Sequence, residues 1–327
     1  MLFSLPLFRS PRSISVLTRR NMSSIRNTKP FGLALIQLGQ VTQSKNDNLA
    51  HAREMILKAA RGDDHIQPRV IILPECFNSP YGVKYFPEYA ETIGFAPGEK
   101  YNVAESQSQS VKMLSAAAKE TGTWLIGGSI PERDVADDKK LYNTATIYSP
   151  EGHLVAIHRK VHLFDIDIPG KIIFKESDAL SPGNAMTLVD TDVGRIGVGI
   201  CYDVRFPELA MVAARRGCVA MVYPGAFNLT TGPLHWELLA RGRAVDNEIY
   251  VAMCSPARDM TADYHAWGHS MIVDPLAVKL AEAEEGETIV FATIDPAAIE
   301  SARKNIPVTS QRRFDVYPDV SAPAPSR

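Results

Sequence analysis

Cysteine is scarce in this 327-residue chain and is never closely paired. The four cysteines are Cys76, Cys201, Cys218 and Cys254. No C-x-x-C pair is present, which argues against a zinc site or a disulfide framework and fits a reducing compartment. Four histidines are assigned structural roles because no two have metal-ligand spacing: His162, His235, His265 and His269. The sequence therefore predicts free thiols and no metal.

Long apolar runs, a strong net charge and a glycine-rich phosphate loop are also missing. No apolar run approaches the roughly 20 residues that span a bilayer, so no membrane segment is predicted. The formal net charge of −2 gives no electrostatic basis for binding nucleic acid or an anionic membrane. The first apolar run ends in Leu38-Gly-Gln-Val-Thr, without the glycine-rich turn of nucleotide-binding folds. These absences give no support for a nucleic-acid-binding, membrane or nucleotide-binding protein.

Acidic residues are absent from the amino end, between Met1 and Asn46. This segment is rich in arginine and serine, a composition typical of a mitochondrial presequence. We therefore predict a presequence over residues 1–29, followed by one folded domain over residues 30–327. Translation from Met22 would give a shorter, cytoplasmic product. A disordered tail without a targeting role is the alternative interpretation.

The remaining sequence alternates strand and helix patterns in both halves. Predicted strands cover residues 31–38, 70–73, 124–127, 141–148, 153–158, 196–200, 219–223, 249–254, 269–273 and 288–294. Predicted helices cover residues 47–60, 111–120, 207–216 and 234–245, with an alanine-rich helix ending near Asn305. This alternation predicts a layered α/β fold with internal pseudo-symmetry.

The stretch from Arg195 to Leu209 organises the candidate site. A glycine-containing apolar strand leads to Cys201, and Pro207 and Glu208 then suit the first turn of a helix. A side chain at such a junction is exposed beside backbone N–H groups, as at a nucleophile elbow. A lone free cysteine is more often a small buried hydrophobe, so this motif needs support from elsewhere in the chain.

Two charged residues provide that support, because each follows an apolar strand. Sites in α/β sheets assemble at strand ends, which brings Glu75 and Lys160 into consideration with Cys201. A nearby ammonium and a helix start favour the thiolate, and a carboxylate can carry its proton. Lys160 and the backbone N–H of Tyr202 could then hold an oxyanion. An ordinary ion pair is the alternative interpretation for Glu75 and Lys160.

Three motifs identify a family resemblance between Phe31 and Tyr317. LPECFNSPYG, HRKVHLFD and GICYDVRFPEL appear in this order, and together they resemble the nitrilase, or carbon-nitrogen hydrolase, superfamily. Within it, IDIPGK, YPGAFNLTTGPLHWELLARGRAVDN and SPARD are similar to ω-amidases.

The resemblance implies a four-layer αββα sandwich that dimerises through a helical layer and needs no cofactor. It implies that Glu75 is a general base, Lys160 an oxyanion stabiliser and Cys201 the nucleophile. Glu176 matches a second glutamate that orients Lys160 and the substrate. Gly242 departs from the pattern, because glycine weakens a helix interior and puts the straightness of that helix in question.

The expected substrate has a free carboxylate. Arg205 lies about one helical turn beyond Cys201 and could bind a carboxylate in a bidentate pair. A salt bridge to Glu208 or Asp203 is its structural alternative. The resemblance adds Phe227 and Thr231 as further substrate contacts. Tyr81 is a candidate for the wall of the substrate pocket.

These patterns favour an amidase that cleaves α-ketoglutaramate, α-ketosuccinamate or succinamate-like monoamides through a cysteine thioester and releases ammonia. A deaminated-glutathione amidase is the alternative within this class and would need a longer pocket. A non-catalytic dimeric relative is the alternative from another class. The four matching residues, Glu75, Lys160, Glu176 and Cys201, speak against it because a binding protein has no need of them.

Overall fold

The computed structural model describes residues 29–317 together with 319 and 321. The predicted presequence therefore lies outside the described residues, apart from Lys29. No helix in the described part of the chain is long and apolar enough to cross a membrane.

The described residues contain two six-stranded sheets and a small hairpin. The strands of the first sheet are β1 (Phe31–Gln37), β2 (Pro68–Ile72), β3 (Trp124–Arg133), β4 (Leu141–Tyr148), β5 (Leu154–Arg159) and β14 (Thr288–Ile294). Those of the second are β8 (Thr187–Thr191), β9 (Gly194–Val198), β10 (Cys218–Pro224), β11 (Tyr250–Cys254), β12 (Met271–Val273) and β13 (Lys279–Glu282). The hairpin consists of β6 (Asp165–Ile168) and β7 (Ile172–Lys175).

Helices connect these strands and cover the sheets. The α-helices are α1 (Lys45–Ala60), α2 (Phe86–Tyr89), α3 (Gln109–Thr121), α4 (Pro207–Arg215), α5 (Gly232–Asn247), α6 (Pro296–Asn305) and α7 (Val308–Gln311). Short 3₁₀ helices are Val103–Glu105, Glu176–Asp178 and Cys201–Arg205. Local capping sets several bounds: the Ser44 and Ser108 hydroxyls accept backbone N–H bonds at the starts of α1 and α3. Gly122 ends α3 with φ at 64°, a conformation that glycine adopts readily.

The two sheets repeat one pattern of strand pairing. The first has the order β14-β1-β2-β3-β4-β5, and the second, read in the matching direction, has β8-β9-β10-β11-β12-β13. In both, the successive pairings are antiparallel, parallel, parallel, antiparallel and antiparallel. Helices α1 and α3 link the parallel strands of the first sheet, as α4 and α5 do in the second. The predicted pseudo-symmetry is confirmed.

Side chains of β1 alternate between two apolar layers. Leu33 and Leu35 pack in a cluster that includes strands of the second sheet, whereas Ala34 and Ile36 pack in a cluster that includes α1 and α3. Strand β1 is thus buried on both faces, as its continuous apolar sequence predicts. With α4 and α5 against the second sheet, the layers follow the predicted order αββα.

The structure also contains elements that the sequence patterns did not predict. The β6–β7 hairpin and the edge strands β8 and β13 were missed. The 3₁₀ helix Cys201–Arg205 separates the nucleophile from α4, so Cys201 does not lead directly into a long helix. Helix α5 runs unbroken through Gly242, so the glycine does not end the helix.

Candidate active site

Glu75, Lys160 and Glu176 form a continuous buried ion cluster. Lys160 Nζ lies 3.0 Å from Glu75 Oε1 and 2.9 Å from Glu176 Oε1, and all three side chains are fully buried. Glu75 follows β2, and Lys160 follows β5 directly. Glu176 begins a 3₁₀ helix after the hairpin. Strand ends that are far apart in sequence therefore meet as the strand pattern predicted.

Further donors hold the Glu75 carboxylate. Asn143 Nδ2 donates to Oε1 at 2.8 Å, and the backbone N–H of Ala226 donates to Oε2 at 2.8 Å. Burial raises the pKa of Glu75, and the charge of Glu176 adds to this, while Lys160 and a hydrogen bond with Cys201 oppose it. A carboxylate with a raised pKa is a better proton acceptor. Sequence reasoning missed Asn143, which no motif singles out.

Lys160 is held as a permanent cation. Burial alone would lower the pKa of Lys160, but the carboxylates of Glu176 and Glu75 raise it well above its ordinary value. An ammonium that keeps its proton cannot act as a base. It can stabilise negative charge that develops on a bound carbonyl oxygen.

Cys201 has the strained backbone of a nucleophile elbow. Its φ is 48°, in the left-handed region that non-glycine residues rarely adopt. Gly225 permits a close approach, because a Cβ at that position would lie 3.1 Å from the Cys201 Cα. The thiol is buried beside Glu75, as the hydrogen bond above indicates.

Burial governs the ionisation of the Cys201 thiol. Burial raises the pKa of this thiol well above its ordinary value, and the charge of Glu75 acts in the same direction. Lys160 opposes the shift but does not outweigh it. The resting thiol is therefore protonated, and it needs a base at the moment of attack.

Tyr81 and Tyr264 lie against this cluster. Tyr81 Oη donates to Glu176 Oε1 at 2.7 Å, and the two tyrosine rings lie 4.5 Å apart between centroids. Phe174 of the hairpin lies 5.9 Å from each of these rings. Tyr81 thus contacts a cluster residue and also lines a cavity together with Phe174 and Tyr264. Tyr264 was not singled out from the sequence, because it lies nine residues beyond SPARD's first residue, Ser255, in a stretch without a recognisable pattern.

Asp203 fixes the turn that carries the nucleophile. Its carboxylate accepts the Ile200 N–H at 2.9 Å and bonds His158 Nε2 at 3.1 Å. It also accepts the His162 N–H at 2.9 Å and lies 2.8 Å from His162 Nδ1. Burial alone would raise the pKa of Asp203, but its bonds to His158 and His162 hold it well below its usual range. His158 and His162 lie on either side of Lys160 in the sequence. The Asp203 carboxylate therefore links the segment that carries Lys160 to the turn that carries Cys201.

Arg205 forms neither of the salt bridges that were its structural alternative. In residues 29–317, no carboxylate lies within 4.0 Å of its guanidinium. Its Nη1 instead lies 3.1 Å from His235 Nδ1, and its Nε is buried without a partner. The guanidinium carbon lies 4.8 Å from the Phe227 ring centroid and 5.4 Å from that of Tyr202. Arg205 is a partly buried cation between two rings.

Thr231, at the start of α5, is already engaged within its own turn. Its hydroxyl donates to Asn228 Oδ1 at 3.1 Å, at the start of α5. The hydroxyl oxygen can still accept a hydrogen bond. Within the described chain, no group of three or more His, Cys, Asp or Glu side chains has an arrangement that could hold a metal ion.

The arrangement combines a nucleophilic thiol, a carboxylate base and a buried cation. This set of groups is suited to acyl transfer, in which a thiol attacks a carbonyl carbon and charge develops on the carbonyl oxygen. The unpaired guanidinium nearby is suited to binding an anionic group on the same molecule.

Comparison with known proteins gives one consistent result. A model of the carbon-nitrogen hydrolase family matches residues 32–304. A hydrolase of Schizosaccharomyces pombe is 54% identical over 315 residues, covering 94% of this chain and 92% of the relative. Omega-amidase NIT2 of Bos taurus is 54% identical over 287 residues, covering 88% and 96%. The crystal structure of Saccharomyces cerevisiae Nit3, a member of branch 10 of the nitrilase superfamily, superposes with a TM-score of 0.78 at 48% identity, covering 88% and 97%.

Proposed function

We propose that this chain, which belongs to the carbon-nitrogen hydrolase family, is an amidase of the omega-amidase type. Its substrates are short monoamides of dicarboxylic acids, such as α-ketoglutaramate, α-ketosuccinamate and succinamate. The reaction yields the dicarboxylate and ammonia. Relatives named omega-amidase support this substrate class, and the environment of Arg205 supports it independently.

The first half of the reaction forms a thioester. Glu75 takes the Cys201 proton as Sγ attacks the amide carbon, and the carbonyl oxygen becomes negatively charged. Lys160 and the Tyr202 backbone N–H stabilise this charge. The C–N bond then breaks, Glu75 returns the proton to the nitrogen, and ammonia leaves. The raised pKa of Glu75 makes it suitable both to accept and to return this proton.

The second half hydrolyses the thioester. Glu75 takes a proton from water while the water oxygen attacks the acyl carbon. The C–S bond breaks, and the sulfur recovers the proton from Glu75. Each residue thus ends the cycle in its starting protonation state.

The unpaired Arg205 is the observation that carries the choice of substrate. A partly buried guanidinium pays a desolvation cost that an anionic partner offsets, and no carboxylate among the described residues lies within ion-pair distance. Burial lowers the pKa of Arg205, while negative charge at Cys201 would oppose this shift. Cys201 and Arg205 are the two ends of one 3₁₀ helix, which fits a substrate whose amide is at Cys201 and whose carboxylate is at Arg205.

Arg205→Ala is expected to discriminate between substrates with and without a carboxylate. Losing one partner of a desolvated charge pair costs about 2–5 kcal/mol, or roughly 30-fold to 4,000-fold in kcat/KM. This loss should appear with succinamate and be largely absent with butyramide, which has the same chain length without the charge. Arg205→Lys should restore activity only in part, since an ammonium lacks the planar fork.

Steady-state kinetics are measured for each variant with both amides, so that butyramide serves as the control for succinamate. An equal loss on both would make Arg205 structural and remove the physical support for a dicarboxylate monoamide. A wild-type preference for butyramide would indicate a general aliphatic amidase. A higher kcat/KM for deaminated glutathione than for any short amide would favour the alternative with a longer pocket.

A homodimer through α5 is part of the same proposal. Leu234, Leu238 and Val245 are 59%, 65% and 45% exposed, and their spacing places them along one face of the helix. Gly242 lies on this face with nothing within 4 Å of the Cβ that it lacks. An apolar stripe with a small residue at its centre suits close contact with its own copy across a two-fold axis.

Leu238→Arg is expected to weaken this dimer by at least about tenfold, because like charges opposed across an interface cost several kcal/mol. Light scattering after size-exclusion chromatography over a concentration series measures the change. Val135→Arg is a matched control, since Val135 is equally exposed, at 67%, but lies away from α5. Dimers of unchanged stability in Leu238→Arg would contradict the assignment of this interface.

A further inference from the structure

His235 is the one side chain that accepts a hydrogen bond from Arg205 in the described part of the chain. It lies in the first turn of α5 and is partly exposed, and its Nδ1 is 3.1 Å from Arg205 Nη1. A guanidinium can only donate. Nδ1 must therefore be the acceptor, which places the imidazole proton on Nε2 and leaves the ring neutral.

This bond determines which edge of the guanidinium remains available. With Nη1 directed to His235, the free donors are Nε and Nη2, which share one edge of the planar group. Nε is buried and has no hydrogen-bond partner among the described residues. This edge therefore still has a donor that a ligand can use. Two parallel N–H donors on one edge match the two oxygens of a carboxylate.

Two aromatic rings flank the guanidinium but give it no directional bond. Phe227 and Tyr202 lie 4.8 and 5.4 Å from its central carbon, measured to their ring centroids. A hydrogen bond is directional, so it restrains the orientation of the group more tightly than ring contacts do. Of the described residues, His235 supplies that bond to the side chain.

We propose that His235 is a specificity-determining positioning residue, which orients Arg205 so that its Nε and Nη2 edge meets the substrate carboxylate. This inference rests on the proposed function and adds a residue to it. Burial and the charge of Arg205 lower the pKa of His235, which helps to keep the ring neutral and able to accept. His235 was assigned a structural role from the sequence, because no two histidines have metal-ligand spacing. Only the fold brings it to Arg205.

His235→Phe tests the proposal, since it keeps a ring and removes the acceptor. KM for succinamate is expected to rise about tenfold or more, the scale of a hydrogen bond to a charged group, with kcat changed less than about twofold. Kinetics with butyramide should not change. His235→Gln, whose amide oxygen can accept, should recover most of the loss. His65→Phe is the matched control, because His65 is exposed and lies far away in sequence.

A double-mutant cycle separates positioning from a structural role. In an Arg205→Ala background, His235→Phe should cause no further loss with succinamate, because the two residues act as one unit. Additive losses, or equal losses on both amides, would overturn the proposal. His235→Leu repeats the test if the phenylalanine variant does not fold. If Arg205→Ala discriminates between the amides and His235→Phe does not, only this inference fails; if Arg205→Ala does not discriminate, the proposed function fails.

Discussion

Cys201→Ser is expected to lower kcat by roughly 10⁴-fold or more, the scale seen when a covalent nucleophile is removed. The structure gives the reason. Burial already raises the pKa of the Cys201 thiol, so attack depends on proton transfer to Glu75. A hydroxyl at the same position is far harder to ionise, and a carboxylate is too weak a base to compensate. Steady-state release of ammonia from succinamate measures the effect.

Cys76→Ala is the matched control for this experiment. Cys76 is also buried beside the cluster, and its φ of 51° closely matches the 48° of Cys201. The pKa of its thiol is likewise raised by burial. Because the two thiols are so alike and only Cys201 is assigned the attack, activity should survive in Cys76→Ala and vanish in Cys201→Ser. Intact-mass analysis with a slow substrate should show an acyl adduct on Cys201, and an adduct on Cys76 would reverse the assignment.

Lys160→Met is expected to lower kcat by about 10²-fold to 10³-fold, the cost of losing one stabilising group for an oxyanion. It also leaves two buried carboxylates facing each other without their shared cation. One of them must then take up a proton, which adds to the loss because a protonated Glu75 cannot act as a base. Single-turnover kinetics would show the slowed chemical step directly.

The charge imbalance can also destabilise the fold, by about 3–5 kcal/mol for a broken buried pair. Combining Lys160→Met with Glu176→Gln removes one negative charge and should restore thermal stability without restoring turnover. Lys139→Met, at an exposed position, is the control for the loss of a lysine. If folded Lys160→Met kept a kcat near that of the wild type, Lys160 would only form a structural ion pair and would not stabilise the oxyanion.

The catalytic candidates could be found from the sequence because each follows an apolar strand. Glu75, Lys160 and Cys201 all lie at strand ends, and strand ends converge in α/β sheets. Their partners could not be found in the same way. Asn143 reaches Glu75 only because β4 lies beside β3 in a particular register, and Tyr264 only because a long loop folds back over the cluster.

Electrostatic states were the least accessible to sequence reasoning. A nearby ammonium and a helix start are visible as residues, and both favour a Cys201 thiolate. Burial is a property of the whole packed structure, and here it outweighs the charge of Lys160. Arg205 illustrates the same limit. A salt bridge to Glu208 or Asp203 was its alternative interpretation, yet its observed partner is His235 on another helix.

The position of β14 has a consequence for synthesis on the ribosome. This strand pairs with β1 along its whole length, from Phe31 opposite Ile294 to Gln37 opposite Thr288. Strand β1 therefore stays unpaired on this side until β14 has been translated. Until then the nascent chain exposes an apolar strand with unpaired N–H and C=O groups, a template for aggregation. Loss of the last fifty residues would consequently leave the first sheet open at its edge, rather than merely shorten the protein at its carboxyl end.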